Sequence, residues 1–152
     1  MKILLHVCIG WFVIFTLTGC IGEEYDFTPP AITLLGEMGY ESDELTEANL
    51  AWRGPENVPI NKEVSDLTDF AKKQPQQFYV TGEKVKLLFD HTDFVERSLQ
   101  VYLWNDEQKI GLVAANGDIT LPQENGEFVL EINLDTDKGK AQYVGRMNIS
   151  NK

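Results

Sequence analysis

Histidine and cysteine, which often carry nucleophilic or metal chemistry, are scarce in this sequence. The chain has two of each, and only His91 and Cys20 lie beyond the first nineteen residues. One histidine and one cysteine cannot supply the ligands of a His/Cys zinc site. No Gly-x-Ser-x-Gly motif offers His91 a nucleophile, although Asp90 and Asp93 lie beside it. We therefore expect His91 to be a loop residue, and we predict no catalytic residue, metal or cofactor.

Carboxylates are the second group that could carry chemistry, since the chain has 24 acidic residues. Two carboxylates at a suitable separation can hydrolyse a glycosidic bond, which leaves a small hydrolase as an alternative function. The sequence does not single out one pair among so many. The segment Asp135-Thr136-Asp137 superficially resembles part of a calcium loop, but it lacks the third ligand and the downstream glutamate. A hairpin turn explains this segment fully.

Gln100, Tyr102 and Trp104 are the candidate binding face. They alternate with three apolar residues, Leu99, Val101 and Leu103. Because successive side chains of a strand point to opposite faces, the three candidates face away from a core that holds the apolar residues. There the aromatic rings could stack on a sugar or hold a protein partner; the alternative is that a helix or the N-terminal strands cover them. Trp52 and Arg53 are either a cation–π pair or a strand end.

The start of the chain has the anatomy of a secretory signal peptide. Lys2 gives a positive start, residues 3–17 are almost wholly apolar, and the small residues Thr18 and Gly19 follow. The apolar run is too short to span a bilayer comfortably, which takes about 20 residues.

The segment Leu17-Thr18-Gly19-Cys20 resembles the lipobox of bacterial lipoproteins. The resemblance implies that residues 1–19 are a signal peptide, cleaved between Gly19 and Cys20, and that Cys20 carries a diacylglycerol with fatty acids such as palmitate. It also implies a lipid-anchored protein of the cell membrane that faces outside the cytoplasm, because two acyl chains make dissociation slow. The alternatives are an ordinary secreted protein and an uncleaved N-terminal helix.

The segment after the cysteine has no hydrophobic period and ends in two prolines, so we expect a flexible tether over residues 20–30. The remaining residues, 31–152, suit one domain. Removing the leader removes Lys2 alone among the charged residues, which leaves 12 basic and 24 acidic side chains, a net charge of −12. Nucleic acid and anionic lipid head groups are poor partners for such a surface.

Alternating apolar residues divided by turn signals predict a mainly β domain. Residues 31–35 and 48–52 are short strand candidates on either side of a loop over residues 36–47. Three longer runs alternate at Val85, Leu87, Phe89; at Leu99, Val101, Leu103; and at Phe128, Leu130, Ile132, Leu134. Turns are predicted at Asn105-Asp106, Asn116-Gly117, Asn125-Gly126 and Asp137-Lys138-Gly139. Strand intervals of about 8 to 12 residues are typical of an antiparallel sandwich or barrel.

Residues 117–149 resemble the closing strands of bacterial immunoglobulin-like domains. A glycine and an aromatic residue open one strand near Gly126, and an aspartate–glycine turn leads into the last strand. The resemblance implies an antiparallel immunoglobulin-like β-sandwich without the cysteine pair of antibody domains, preceded by a signal-peptide helix. One further helix is predicted over residues 63–73, with Asn61 as its cap and Pro75 as its stop.

These patterns favour a lipid-anchored binding or interaction module of the bacterial cell envelope over an enzyme. We expect its partner to be an envelope protein or a cell-wall polymer, bound through a sheet face or the loops at one end. The alternative is the carboxylate-dependent hydrolase, acting on envelope polymers, and a third possibility is an accessory subunit without a ligand. A cleft with two carboxylates about 5 to 10 Å apart would favour the hydrolase.

Overall fold

The computed structural model describes residues 26–37, 39, 44–105 and 108–151. The predicted signal peptide, its helix and the lipobox lie outside these residues. A 3-10 helix spans Pro55–Asn57, and one α-helix, α1, spans Leu67–Lys72. The strands are β1 (Ile32–Gly36), β2 (Thr46–Arg53), β3 (Pro59–Lys62), β4 (Gln76–Val80), β5 (Lys84–Phe89), β6 (Glu96–Trp104), β7 (Lys109–Leu112), β8 (Asp118–Thr120), β9 (Gly126–Thr136) and β10 (Gly139–Ser150).

The strands form two sheets of unequal size. The smaller sheet has the order β1-β5-β8, and the larger has the order β3-β2-β10-β9-β6-β7. The long strand β10 pairs with β2 through residues 139–144 and with β4 through residues 146–150. The pairing of β4 with β10 is parallel, and the other strand pairs are antiparallel. The mainly β, two-sheet sandwich predicted from the sequence is confirmed.

The core lies between the inner faces of the two sheets. Every second residue of β9 points into it, and Leu130 and Ile132 are wholly buried. Val85 and Leu87 from the smaller sheet belong to the same cluster. The predicted alternation is confirmed, because the burial of one face per strand imposes a period of two on the sequence.

The predicted helix over residues 63–73 is wrong in its start and its cap. Asn61 belongs to β3, and the helix begins only at Leu67. Asp66 is the cap, because its Oδ1 accepts a hydrogen bond of 2.8 Å from the backbone N–H of Asp69. The strand predicted over residues 48–52 is real but longer, so the loop predicted over 36–47 ends two residues earlier.

Helix α1 packs on the outer face of the larger sheet. Its residue Ala71 is fully buried, and Leu67 and Phe70 pack beside it. Under the helix lies a second apolar cluster from three strands, formed by Ala48, Val129 and Val144. Within the described ranges no helix has the length and apolar character to cross a membrane. Helix α1 therefore covers one apolar cluster on the outer face of the larger sheet.

Candidate binding face on the larger sheet

Four side-chain amides lie in a row across the part of the outer face that α1 leaves open. Gln100 on β6 is paired with Asn133 on β9, and Asn133 is paired with Gln142 on β10. Asn49 on β2 continues the row, because its Nδ2 donates to Oε1 of Gln142 at 2.5 Å. We call these four residues the amide row.

The hydrogen bonds of the amide row run in one direction. The backbone N–H of Val64 donates to Oδ1 of Asn49 at 2.6 Å. Nε2 of Gln142 donates to Oδ1 of Asn133 at 2.9 Å and to Oε1 of Glu131 at 3.1 Å, and Nδ2 of Asn133 donates to the same Oε1 at 2.8 Å. An ionised carboxylate can only accept hydrogen bonds, so Glu131 fixes which way these amide groups turn.

Glu131 is a buried carboxylate on β9, with only 3% of its surface exposed. Its Oε2 accepts a hydrogen bond from Nε1 of Trp104 and lies 3.0 Å from Nζ of Lys109. Burial raises the pKa of Glu131, but hydrogen bonds from Asn133, Lys109 and Trp104 lower it further, so the net pKa is below its ordinary value. Glu131 is therefore held ionised, with donors on both oxygens.

The structure places the three predicted face residues in different surroundings. Gln100 is exposed and belongs to the amide row. Tyr102 and Trp104 are half-buried, and Nζ of Lys109 lies over both rings, 4.0 and 4.3 Å from their centroids. Trp104 also packs against the apolar cluster under α1. Both aromatic side chains are thus engaged within the protein.

A groove of about 490 Å³ runs over the amide row. Asp135 and Lys140 line its border, and their charged atoms lie 3.2 Å apart. Arg97 adds a second cation at 3.9 Å from Asp135. The groove therefore combines amide and charged side chains with an apolar lining from Leu50, Ala51, Leu134 and Ala141, and its charges are locally compensated.

Three of the four residues of the amide row, all except Gln100, were not predicted from the sequence. Asn133 could have been noticed, because it lies between the buried residues Ile132 and Leu134 and so must point outward. Asn49 and Gln142 gave no signal, since only the strand order brings them beside Asn133.

The segment that resembled a calcium loop is the turn between β9 and β10. Thr136 Oγ1 accepts hydrogen bonds from the backbone N–H groups of Lys138 and Gly139, at 3.1 and 3.2 Å. Asp137 Oδ1 accepts from the backbone N–H of Val95 at 2.7 Å. These oxygens stabilise the turn and its neighbouring loop. Across the described part of the chain, no group of three or more His, Cys, Asp or Glu residues is placed to hold a metal ion.

Residues 26–31, which we call the N-terminal segment, are fastened to one end of the sandwich. Asp93 Oδ2 accepts from the backbone N–H of Asp26 at 3.1 Å, and Asp90 Oδ1 accepts from that of Ala31 at 2.8 Å. Trp52 Nε1 donates to the carbonyl of Phe27 at 3.0 Å. The two carboxylates beside His91 therefore have a structural role.

His91 lies in the loop between β5 and β6, as predicted, but only 13% of its side chain is exposed. Its ring meets the edge of Phe94, with 6.1 Å between the ring centroids. Trp52 packs against the same Phe94 and is buried, whereas Arg53 is exposed. Trp52 is thus a core residue near a strand end.

Tyr143→Phe should lower the free energy of unfolding by about 1 to 2 kcal/mol. The buried hydroxyl of Tyr143 donates to the carbonyl of Pro30 at 2.7 Å, and the variant leaves that carbonyl without its donor. Burial raises the pKa of Tyr143, so the hydroxyl keeps its proton at neutral pH. Tyr102→Phe, on the half-exposed outer face, is the control and should change stability by less than about 0.5 kcal/mol. Urea unfolding measures both, and equal effects would contradict this role of Tyr143.

No protein-family model matches this chain, and no curated protein matches its sequence. The fold and its outer face are therefore the basis for assigning a function.

Proposed function

We propose that this protein is a lipid-anchored binding module of the bacterial cell envelope, located on the outer side of the cell membrane. The observation that carries the binding role is the open amide row. Helix α1 covers the apolar cluster on the same face. Among the described residues no element covers the amide row beside it, and two of its amides, those of Asn133 and Gln142, are already oriented by Glu131. Oriented side chains lose little conformational freedom when a ligand binds, which favours affinity.

A hydrolase is less well supported by the same face. The two carboxylates beside the amide row are Glu131 and Asp135 on β9. A glycosidase needs one carboxyl group to act as acid and the other as base or nucleophile. Glu131 is surrounded by donors, and Asp135 is engaged by Lys140. We therefore propose a binding protein rather than an enzyme.

The lipid anchor is supported by the segment Leu17-Thr18-Gly19-Cys20 and by where the chain enters the domain. Asp26 is six residues after Cys20 and lies at one end of the sandwich, beside the loop that contains Asp93. Six extended residues reach about 20 Å. The domain would then be held close to the membrane, where an envelope protein or a cell-wall polymer is within reach.

We also propose that the sandwich is immunoglobulin-like. In such domains the third, sixth and seventh strands form one sheet, and the second and fifth pair in the other. The order β10-β9-β6 and the pairing of β5 with β8 support this assignment, if β5 is taken as the second strand. The first strand of such a domain then corresponds to two strands here, β1 in the smaller sheet and β4 in the larger sheet.

The lipid anchor is tested by Cys20→Ala, with Cys8→Ala as the matched control. Cys20→Ala should abolish incorporation of radiolabelled palmitate and leave either unprocessed precursor or released protein, because no thiol remains to accept the lipid. Cys8 lies within the predicted leader, so its variant should be labelled and membrane-bound like the wild type. Equal labelling of Cys20→Ala and the wild type would refute the anchor.

A further inference from the structure

We infer that the amide row binds an uncharged, polyhydroxylated chain, which is the chemistry of a neutral glycan. The inference rests on the proposed role as a binding module and names the ligand class of that site. It depends on the hydrogen-bonding capacity, the charge and the dimensions of the groove.

The hydrogen-bonding capacity of the amide row suits hydroxyl groups. Asn49 donates one amide N–H to Gln142 and Asn133 donates one to Glu131, so each retains a second N–H for a ligand. Their oxygens each have a second lone pair, and Gln100 adds an exposed amide at the end of the row. Donors and acceptors thus alternate over a short distance. Neighbouring hydroxyls of a sugar, which both donate and accept, match this alternation.

The charge of the groove favours an uncharged ligand. Asp135 is compensated by Lys140 and Arg97, at 3.2 and 3.9 Å, and Glu131 is compensated by Lys109 at 3.0 Å. The predicted mature chain carries a net charge of −12, with 12 basic against 24 acidic side chains, and would repel a phosphate-rich polymer. Neither cations nor anions are therefore the natural ligands of this face.

The dimensions of the groove suit a short stretch of polymer. The amide row crosses four neighbouring strands, from β2 to β6, which is about 14 Å at the usual strand spacing. The volume of the groove, about 490 Å³, is within the range of small-molecule sites. A few consecutive sugar rings would fill this length.

A protein partner fits the groove less well. Protein interfaces are dominated by buried aromatic or arginine side chains that fill pockets in the partner. The two aromatic residues beside the row, Tyr102 and Trp104, are already engaged by Lys109, and Trp104 also binds Glu131. The groove therefore offers hydrogen bonds, and no aromatic or arginine side chain is among the described residues that line it.

The test uses the mature, lipidated protein in detergent micelles. Its probes are immobilised hexamers of glucose, mannose and N-acetylglucosamine, with poly(glycerol phosphate) as the anionic polymer. The wild type is compared with Gln100→Ala and with Gln108→Ala, an exposed glutamine in the connection between β6 and β7. We expect saturable binding to at least one neutral hexamer that added salt does not weaken. Gln100→Ala should weaken this binding roughly fivefold, since it loses about one hydrogen bond, and Gln108→Ala should bind like the wild type.

Three outcomes would overturn the inference. They are the absence of binding to every neutral hexamer, preferential binding to poly(glycerol phosphate), and equal weakening by the two glutamine variants. A fourth result separates the two proposals. If the protein captures envelope proteins but binds no sugar, and Gln100→Ala reduces this capture, the role as a binding module stands and only the glycan ligand is refuted. Loss of lipid labelling is measured separately with the cysteine variants, so failure of the anchor is distinguishable from failure of the glycan site.

Discussion

Glu131→Ala should lower the free energy of unfolding by about 3 to 5 kcal/mol, as expected when one partner of a buried charged pair is removed. The carboxylate is 3% exposed and accepts from Trp104, Asn133 and Gln142. Its removal leaves these donors, and the ammonium of Lys109, without their acceptor. Urea unfolding followed by tryptophan fluorescence would measure the change.

The matched control is Glu127→Ala, on the same strand and the same face. Glu127 is largely exposed, and its carboxylate lies 3.1 Å from Arg146 at the surface. A surface ion pair contributes about 1 kcal/mol or less. A loss in Glu131→Ala no larger than that in the control would show that Glu131 does not organise the amide row.

The contribution of Glu131 should also depend on pH. Its pKa in the folded protein is below the ordinary value of 4.5, because the hydrogen bonds from Asn133, Lys109 and Trp104 outweigh burial. A group with a lowered folded-state pKa contributes stability that is fully present above its unfolded pKa. That stability is lost as the pH falls through the folded-state pKa. The difference in stability between the wild type and Glu131→Ala should therefore shrink as the pH falls from about 4.5 through the folded-state pKa, in denaturation curves taken across the acidic range.

Gly139→Ala should lower the free energy of unfolding by about 3 to 5 kcal/mol, through backbone strain and overpacking together. Gly139 has a φ of 148°, which residues with side chains rarely adopt. A methyl group there would lie 2.2 Å from the carbonyl oxygen of Ala51 and 2.8 Å from Cα of Trp52. Both are backbone atoms of β2, so relief requires β2 and β10 to separate. Thermal unfolding should show a clearly lower midpoint.

Gly111→Ala is the control for this glycine. A methyl group at Gly111 would meet only the ring of Tyr102, at 3.8 Å, which is ordinary contact. The change in stability should be less than about 1 kcal/mol, because alanine fits that backbone without strain. If both alanine variants unfolded at the same temperature, the close approach of β2 to Gly139 could not be important for stability.

The core was predictable from the sequence because it depends on local alternation. Leu130, Ile132 and Leu134 face the smaller sheet, and a strand with one buried face must repeat every two residues. The helix start was not predictable in the same way, since Val64 continues the helical spacing but lies before the cap at Asp66. Periodicity identifies a buried face, whereas a capping hydrogen bond determines where the helix starts.

The candidate site could be predicted only in part. Alternation alone placed Gln100, Tyr102 and Trp104 on one face, but it gave no information about Lys109, whose position over both rings depends on the pairing of β6 with β7. The amide row joins positions 49, 100, 133 and 142, which no local pattern relates. The order of the strands in the larger sheet brings these four positions together.

The attachment of the N-terminal segment would determine the orientation of the domain relative to the membrane if Cys20 carries the proposed lipid. Phe27 lies near Lys138 in the turn that joins β9 and β10, so the chain enters at the end where these long strands meet. If Cys20 is lipidated as proposed, these strands would rise away from the bilayer, and the amide row that crosses them would lie parallel to its surface. Gln142 is three residues above the turn, about 10 Å along β10. With a link of about 20 Å, the protein would hold a bound polymer no more than about 30 Å from the membrane and thereby set the width of the gap between them.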